Sequence, residues 1–141
     1  MYSLAGAWEN VTGETEEGQC IRDFQKLDPH FNKEEWATEV CQELVPSVIK
    51  AHLSGNVSPY RKIMGEAVYQ KLIADIRIRK QEGLVFDSTV IDCDERAIEL
   101  KYPEGSDSAY IVGHYAVQQL YCVKNREGEI IEVCLPCHCA L

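Results

Sequence analysis

The sequence predicts an α+β fold, with helices first and a curved antiparallel sheet after them. Three observations carry that reading. Up to Gly83 the apolar residues recur at helical spacing, as in Trp36, Val40, Leu44 and Val48, and again in Val68, Leu72 and Ile76. Beyond Gly83 the period falls to two, as in Ile98, Leu100 and Tyr102 against Glu99 and Lys101. The alternating stretches are joined by short turns, which suits a meander, with the helices laid on one face of the sheet. At 141 residues, 45% hydrophobic and 26% charged, the chain has the size and composition of one globular domain.

Taken in order, residues 1–14 mix small and polar types and read as a flexible lead-in. The domain proper is expected over 15–135 and a Cys-rich tail over 136–141. Thr15–Leu27 carries Cys20, Ile21, Phe24 and Leu27 as a short helical stripe, ended by Asp28-Pro29 because the residue before proline disfavours helix. Asn32 with Glu35 three residues on is a capping start, and Phe31 is placed to staple onto Trp36. Pro46 lies inside the long helix that follows and predicts a kink there. Gly55-Asn56 closes that helix. Ser58-Pro59 opens a short turn, Gly65 breaks it, and Glu66–Glu82 forms the next helix, stopped by Gly83. The strands are predicted at Leu84–Asp92, Ala97–Tyr102, Ala109–Val123 and Ile130–Leu135, with turns at Cys93–Glu95, Pro103–Ser108 and Asn125–Glu129.

The net charge is −9, which argues against a nucleic-acid binder, DNA included. One segment departs from that balance. Residues 59–82 carry six basic and three acidic side chains. Lys71, Arg77, Arg79 and Lys80 are therefore the candidates for contact with an anionic lipid surface. The apolar set Leu72, Ile73, Ile76, Phe86, Ile91, Ile98, Ile111 and Tyr115 is the candidate lining of an apolar pocket, with Val68 nearby. No apolar run approaches the ~20 residues of a membrane span. Met1–Gly18 holds no Lys or Arg and does not read as a presequence or secretory signal, so the chain is expected to be an interior piece of a longer protein or to be addressed by other means.

Seven cysteines without a secretory signal point to reduced thiols. Cys134-Leu135-Pro136-Cys137-His138 fits the spacing of c-type haem attachment, but it lies too close to the terminus for a packed haem pocket. Four ligands within six residues also fit a tetrahedral metal poorly. A tail of free thiols is the reading kept, with no metal or cofactor. No nucleophile motif and no Gly-rich phosphate loop occur, so no catalytic residue is named and the protein is read as not an enzyme.

Four stretches, in order, carry a family resemblance. Ile21–Trp36 (IRDFQKLDPHFNKEEW), Val45–Asn56 (VPSVIKAHLSGN), Gly83–Glu95 (GLVFDSTVIDCDE) and Gln118–Glu132 (QQLYCVKNREGEIIE) resemble successive parts of the C-terminal domain of subunit 44 of the mitochondrial inner-membrane import translocase, the Tim44-like superfamily. The resemblance covers roughly residues 15–132. It implies the cone of the nuclear-transport-factor-two superfold, with an apolar pocket under the helices. It also implies a non-enzymatic adaptor of matrix protein import, peripheral to the matrix face of the inner membrane. Its partners would be the 70-kilodalton heat-shock chaperone of the matrix, import-channel subunits, precursor polypeptides and, weakly, an anionic lipid such as cardiolipin. A mitochondrial large-ribosomal-subunit relative shares the superfamily, and ligand-binding and enzymatic modules share the superfold. The sequence departs from the family after Glu132, where a further strand is usual; an open sheet edge is expected there.

Overall fold

A computed structural model of the chain describes residues 15–140, with side chains through Cys134. The lead-in and the side chains of the Cys/His tail, residues 135–141, lie outside the described residues. The elements are α1 (Glu16–Leu27), α2 (Lys33–Glu39), a π-helical turn (Val40–Leu44), α3 (Val45–Ser54), a 3-10 turn (Ser58–Tyr60), α4 (Glu66–Glu82), β1 (Val85–Phe86), β2 (Val90–Lys101), β3 (Tyr110–Lys124) and β4 (Ile130–Ala140). Helices precede strands, as expected of the α+β class. The strands form one four-stranded sheet in which β1 and β4 pair antiparallel with β3 and β2 lies beside β3. The chain divides into two compact units.

The first unit comprises Met1–Ala37 and Ala97–Gly113. Thr15 caps α1, its hydroxyl accepting the Gly18 N–H at 3.1 Å. Asp28 ends α1: its own N–H donates to the Phe24 carbonyl, and its carboxylate accepts the His30 N–H at 3.0 Å. Asn32 caps α2 by accepting the N–H groups of Glu34 and Glu35 at 2.9 and 3.0 Å. Phe31, expected to staple onto Trp36, lies against Phe24, ring centroids 5.0 Å apart. The turn at Asp28-Pro29 brings it back to its own preceding helix. Cys20, Ala37 and Leu100 are the buried centre of this unit. Tyr102 donates its hydroxyl proton to Asp23 at 2.6 Å, and Lys33 pairs with Glu17.

The second unit comprises Thr38–Arg96 and His114–Leu141, with Cys41, Val57, Ile76, Val117 and Val123 at its core. The disturbance expected from Pro46 takes the form of the π turn. Proline has no N–H to donate to the carbonyl four residues back and crowds it. The helix widens ahead of it, and the Val45 N–H reaches the Val40 carbonyl, five residues back. Gly55 and Gly83 end α3 and α4 at φ 81° and 72°, the left-handed values that glycine adopts without steric cost.

Two strand boundaries differ from expectation. The turn predicted at Cys93–Glu95 is absent, and β2 runs unbroken through it. The acidic residues resemble a turn in composition, yet the backbone stays extended, with Asp92, Asp94 and Glu95 exposed on the strand and Cys93 half-buried. The break falls at 87–89 instead, where the Asp87 carboxylate accepts the Thr89 N–H at 2.8 Å. Asp87 N–H still donates to Cys122 and Thr89 still accepts from Leu120, so β1 and β2 follow the same edge of β3. β4 extends to Ala140, where a stop at Leu135 was expected. Gln119 pairs with Cys137 and Tyr121 with Cys134, so two residues, Leu135 and Pro136, oppose Leu120 alone. That bulge is where a strand tolerates proline.

Candidate functional site

The candidate site lies within the second unit, between α3, α4 and the sheet. After the π turn, Ile49, His52 and Leu53 share one face of α3. On α4 the spacing of Asp75, Ile78, Arg79 and Glu82 does the same. Alternation on β3 sends Val117, Gln119 and Tyr121 to one side. These ten residues and Phe86 of β1 line a cavity of about 430 Å³. A neighbouring cavity of about 340 Å³ is lined by residues that include Ser54, Ile76, Lys80, Leu84 and Val85. Leu53, Arg79 and Phe86 line both, so the side chains of these three are the partition between them.

Arg79 organises the partition. Its guanidinium lies 4.7 Å from the centroid of the Phe86 ring, which meets Tyr121 edge-on at 6.1 Å. Nη2 donates to the His52 carbonyl at 2.8 Å. Nε approaches the Asp75 carboxylate at 3.3 Å, close enough for charge attraction but not aligned as a hydrogen bond. Lys80 donates to the Gly55 carbonyl at 3.3 Å. Two cations of α4 thus serve the carbonyl end of α3, where the helix dipole is negative. His52 contacts Asp75 at 3.5 Å, yet burial, reinforced by the Arg79 charge, holds its pKa below the ordinary value. Its ring is neutral at pH 7, and Arg79 is the fixed positive charge of the cavity wall.

The predicted pocket residues divide. Ile76 and Phe86 reach these cavities. Ile91 lines a third cavity of about 250 Å³ with Cys41, Pro46, Lys50 and Cys93. Leu72, Ile73 and Tyr115 are half-buried outside these three linings, and Val68 is exposed. Ile98 and Ile111 belong to the other unit. Of the four predicted lipid-contact residues, Lys71, Arg77 and Lys80 are exposed, whereas the Arg79 side chain is only 11% exposed and turned into the wall. Sequence reading missed His52 and Asp75. The signal available was the Asp75–Arg79 spacing of four, which marks an ion pair on one helix face. Among the described residues no cluster of three or more His, Cys, Asp or Glu side chains could hold a metal ion, and no helix is long and apolar enough to cross a membrane.

The family model described as Tim44-like domain matches residues 17–133. The mitochondrial import inner membrane translocase subunit TIM44-1 of Arabidopsis thaliana is 26% identical over 132 residues, covering 94% of this chain and 27% of its own. Subunit TIM44 of Homo sapiens is 26% identical over 118 residues, covering 84% of this chain and 26% of its own. Subunit TIM44 of Saccharomyces cerevisiae is 26% identical over 87 residues, 62% of this chain and 20% of its own. The chain therefore spans about a quarter of the length of the first two relatives.

Proposed function

The chain belongs to the Tim44-like domain family, and on that premise we propose that it is a non-enzymatic adaptor domain of mitochondrial matrix protein import. It acts on the matrix side of the inner membrane, where it links import-channel subunits, the incoming precursor and the 70-kilodalton heat-shock chaperone of the matrix. The observation that carries the reading is the family match across 17–133, which includes every element that builds the two cavities. The relatives are named as subunits of the mitochondrial import inner membrane translocase. The cavities support a docking role: their walls combine apolar side chains with the Arg79 guanidinium, the His52 ring and the carboxylates of Asp75 and Glu82. An apolar side chain of a partner or a lipid acyl chain fits such a wall. Lys71, Arg77 and Lys80 are exposed and would meet the phosphates of an anionic lipid such as cardiolipin, each contributing about 1 kcal/mol, Lys80 after releasing the Gly55 carbonyl.

The test is a native pull-down of the chain from mitochondria, read by mass spectrometry. Channel subunits and the matrix chaperone are the expected catch. Large-ribosomal-subunit proteins in their place would overturn the import reading. Recovery of neither set would leave the family relationship describing the fold alone. The lipid contact has its own test. Reversing Lys71, Arg77 and Lys80 to Glu should reduce co-sedimentation with cardiolipin-containing vesicles at low salt; unchanged co-sedimentation would remove lipid from the proposal.

A further inference from the structure

We propose that Cys41 and Cys93 form an oxidisable thiol pair, a modification site that closes to a disulfide when the protein meets a peroxide. The two residues are 52 positions apart in sequence, and the fold brings them together. Cys41 sits in the π turn and is buried; Cys93 sits on β2 and is half-buried. Their Sγ atoms are 3.5 Å apart, and the Cys41 thiol lies 3.2 Å from the Cys93 carbonyl oxygen, to which it donates. A disulfide is about 2.05 Å long, so the sulfurs must approach by roughly 1.5 Å, within reach of a side-chain rotation. The π turn is the device that makes the pairing. Such turns insert one residue into a helical repeat and are frequent at functional sites.

Access comes from the third cavity. It holds about 250 Å³ and is lined by both cysteines, Gln42, Pro46, Lys50 and Asp92, so a small oxidant reaches the sulfurs where a protein thiol would not. Burial and the Cys41 contact push the Cys93 thiol up to about 12. Thiolate is therefore scarce at neutral pH, and the pair rests reduced in a thiol-rich compartment. Sustained peroxide is needed to move it.

The chemistry balances as follows. Cys93, the more exposed thiol, loses its proton and attacks one oxygen of hydrogen peroxide. The O–O bond breaks, and Cys93 becomes a sulfenic acid with release of one water. The Cys41 sulfur then attacks the Cys93 sulfur, the S–O bond breaks, and a second water leaves as the S–S bond forms. Two thiols have given up two electrons and two protons, and one peroxide has become two waters. The new bond ties the π turn to β2 across a long loop, which restrains the unfolded chain and raises the melting temperature by about 5–10 °C.

The experiment uses the full chain, reduced, desalted and titrated with hydrogen peroxide. Remaining thiols are alkylated, and the protein is digested without reduction for mass spectrometry. The expected result is a Cys41 peptide joined to a Cys93 peptide, short of two hydrogens, accumulating under sustained peroxide. The melting temperature should rise with it and fall back on adding dithiothreitol. Cys93→Ser should abolish both effects and Cys134→Ser neither. Recovery of Cys41 and Cys93 as alkylated thiols at the highest peroxide dose that leaves the protein folded would overturn the proposal. So would Cys93 as a sulfinic acid beside an alkylated Cys41. The peptide analysis is made on the unsubstituted protein and does not depend on either variant folding.

Discussion

Replacing Arg79 by Ala tests whether the partition between the two cavities holds the second unit together. Three interactions go at once. The charge-assisted hydrogen bond to the His52 carbonyl, at 2.8 Å, is worth about 1.5–3 kcal/mol. The stack on Phe86 adds about 0.5–1 kcal/mol. The pair with Asp75, whose side chain is 53% exposed, adds about 0–1 kcal/mol after screening. These share one side chain and are not additive, so a loss of about 2–4 kcal/mol is expected. For a chain of 141 residues that corresponds to a fall of about 7–13 °C in melting temperature. Urea unfolding followed by circular dichroism gives the value. Arg77→Ala, two residues away and exposed, is the control and should change stability by less than about 0.5 kcal/mol. Arg79→Lys keeps the charge but loses the planar fork, and should fall between the two. If Arg79→Ala and Arg77→Ala unfold within about 0.5 kcal/mol of each other, the partition is not a structural element and this account of the cavities fails.

His52 has a depressed pKa in the fold, so the unfolded chain takes up its proton first as pH falls. Stability should therefore drop below about pH 6.5, the ordinary histidine value, and level off below the folded pKa; His52→Gln should flatten that dependence between pH 7.5 and 5.5 in urea titrations. Gly83→Ala should cost about 1–2 kcal/mol: its φ is 72°, and a Cβ there would meet Arg126 side-chain atoms at 2.4–2.9 Å. Pairing it with Arg126→Ala should recover the steric part but not the backbone part. Gly65→Asp should stabilise by about 0.5–1 kcal/mol, because Gly65 caps α4 at φ −62° and ψ 144° with no side-chain bond, and open space surrounds its Cβ. A loss of stability in that variant would show that the α4 start is set by something other than its cap.

The parts of the fold legible in the sequence are those fixed by near neighbours. Asn32 as a cap, Gly55 and Gly83 as helix ends, and the Asn125–Glu129 hairpin are decided within five residues. So is the disturbance before Pro46. The boundary at 87–89 was not legible, because Asp87 closes the break with its own carboxylate, whereas the more acidic stretch at Cys93–Glu95 stays extended through β2. The site was legible in kind but not in membership. Apolar periodicity identifies residues that leave water; it does not say which of them meet. Ile98 and Ile111, on strands, are as apolar as Ile76 on its helix yet sit in the other unit. Arg79 was read as an outward charge because composition counts charges without their partners. Its partners are His52, 27 residues away on α3, Phe86 in β1 and Asp75 one turn back on α4.

That distinction bears on what the basic segment can do. Within residues 59–82, Arg61 is paired with Glu66 and stacked on Tyr69, and Arg79 is paired with Asp75. Both pairs are neutral as units, so the segment's charge of +3 is carried by Lys62, Lys71, Arg77 and Lys80 against Glu82, all exposed. Turning Arg79 inward therefore removes a contact without lowering the outward charge. The three proposed contact cations, Lys71, Arg77 and Lys80, at about 1 kcal/mol each give about 3 kcal/mol at an anionic surface, which corresponds to an affinity of several millimolar. The rest of the chain carries −12 and pushes the other way within a Debye length of the surface. On those numbers the proposed lipid contact is weak by itself. A lipid contact of that strength matters only when a tighter protein contact already holds the domain beside the bilayer, where local concentration supplies the remainder. Vesicle binding by the isolated chain should then be weak and vanish at physiological salt.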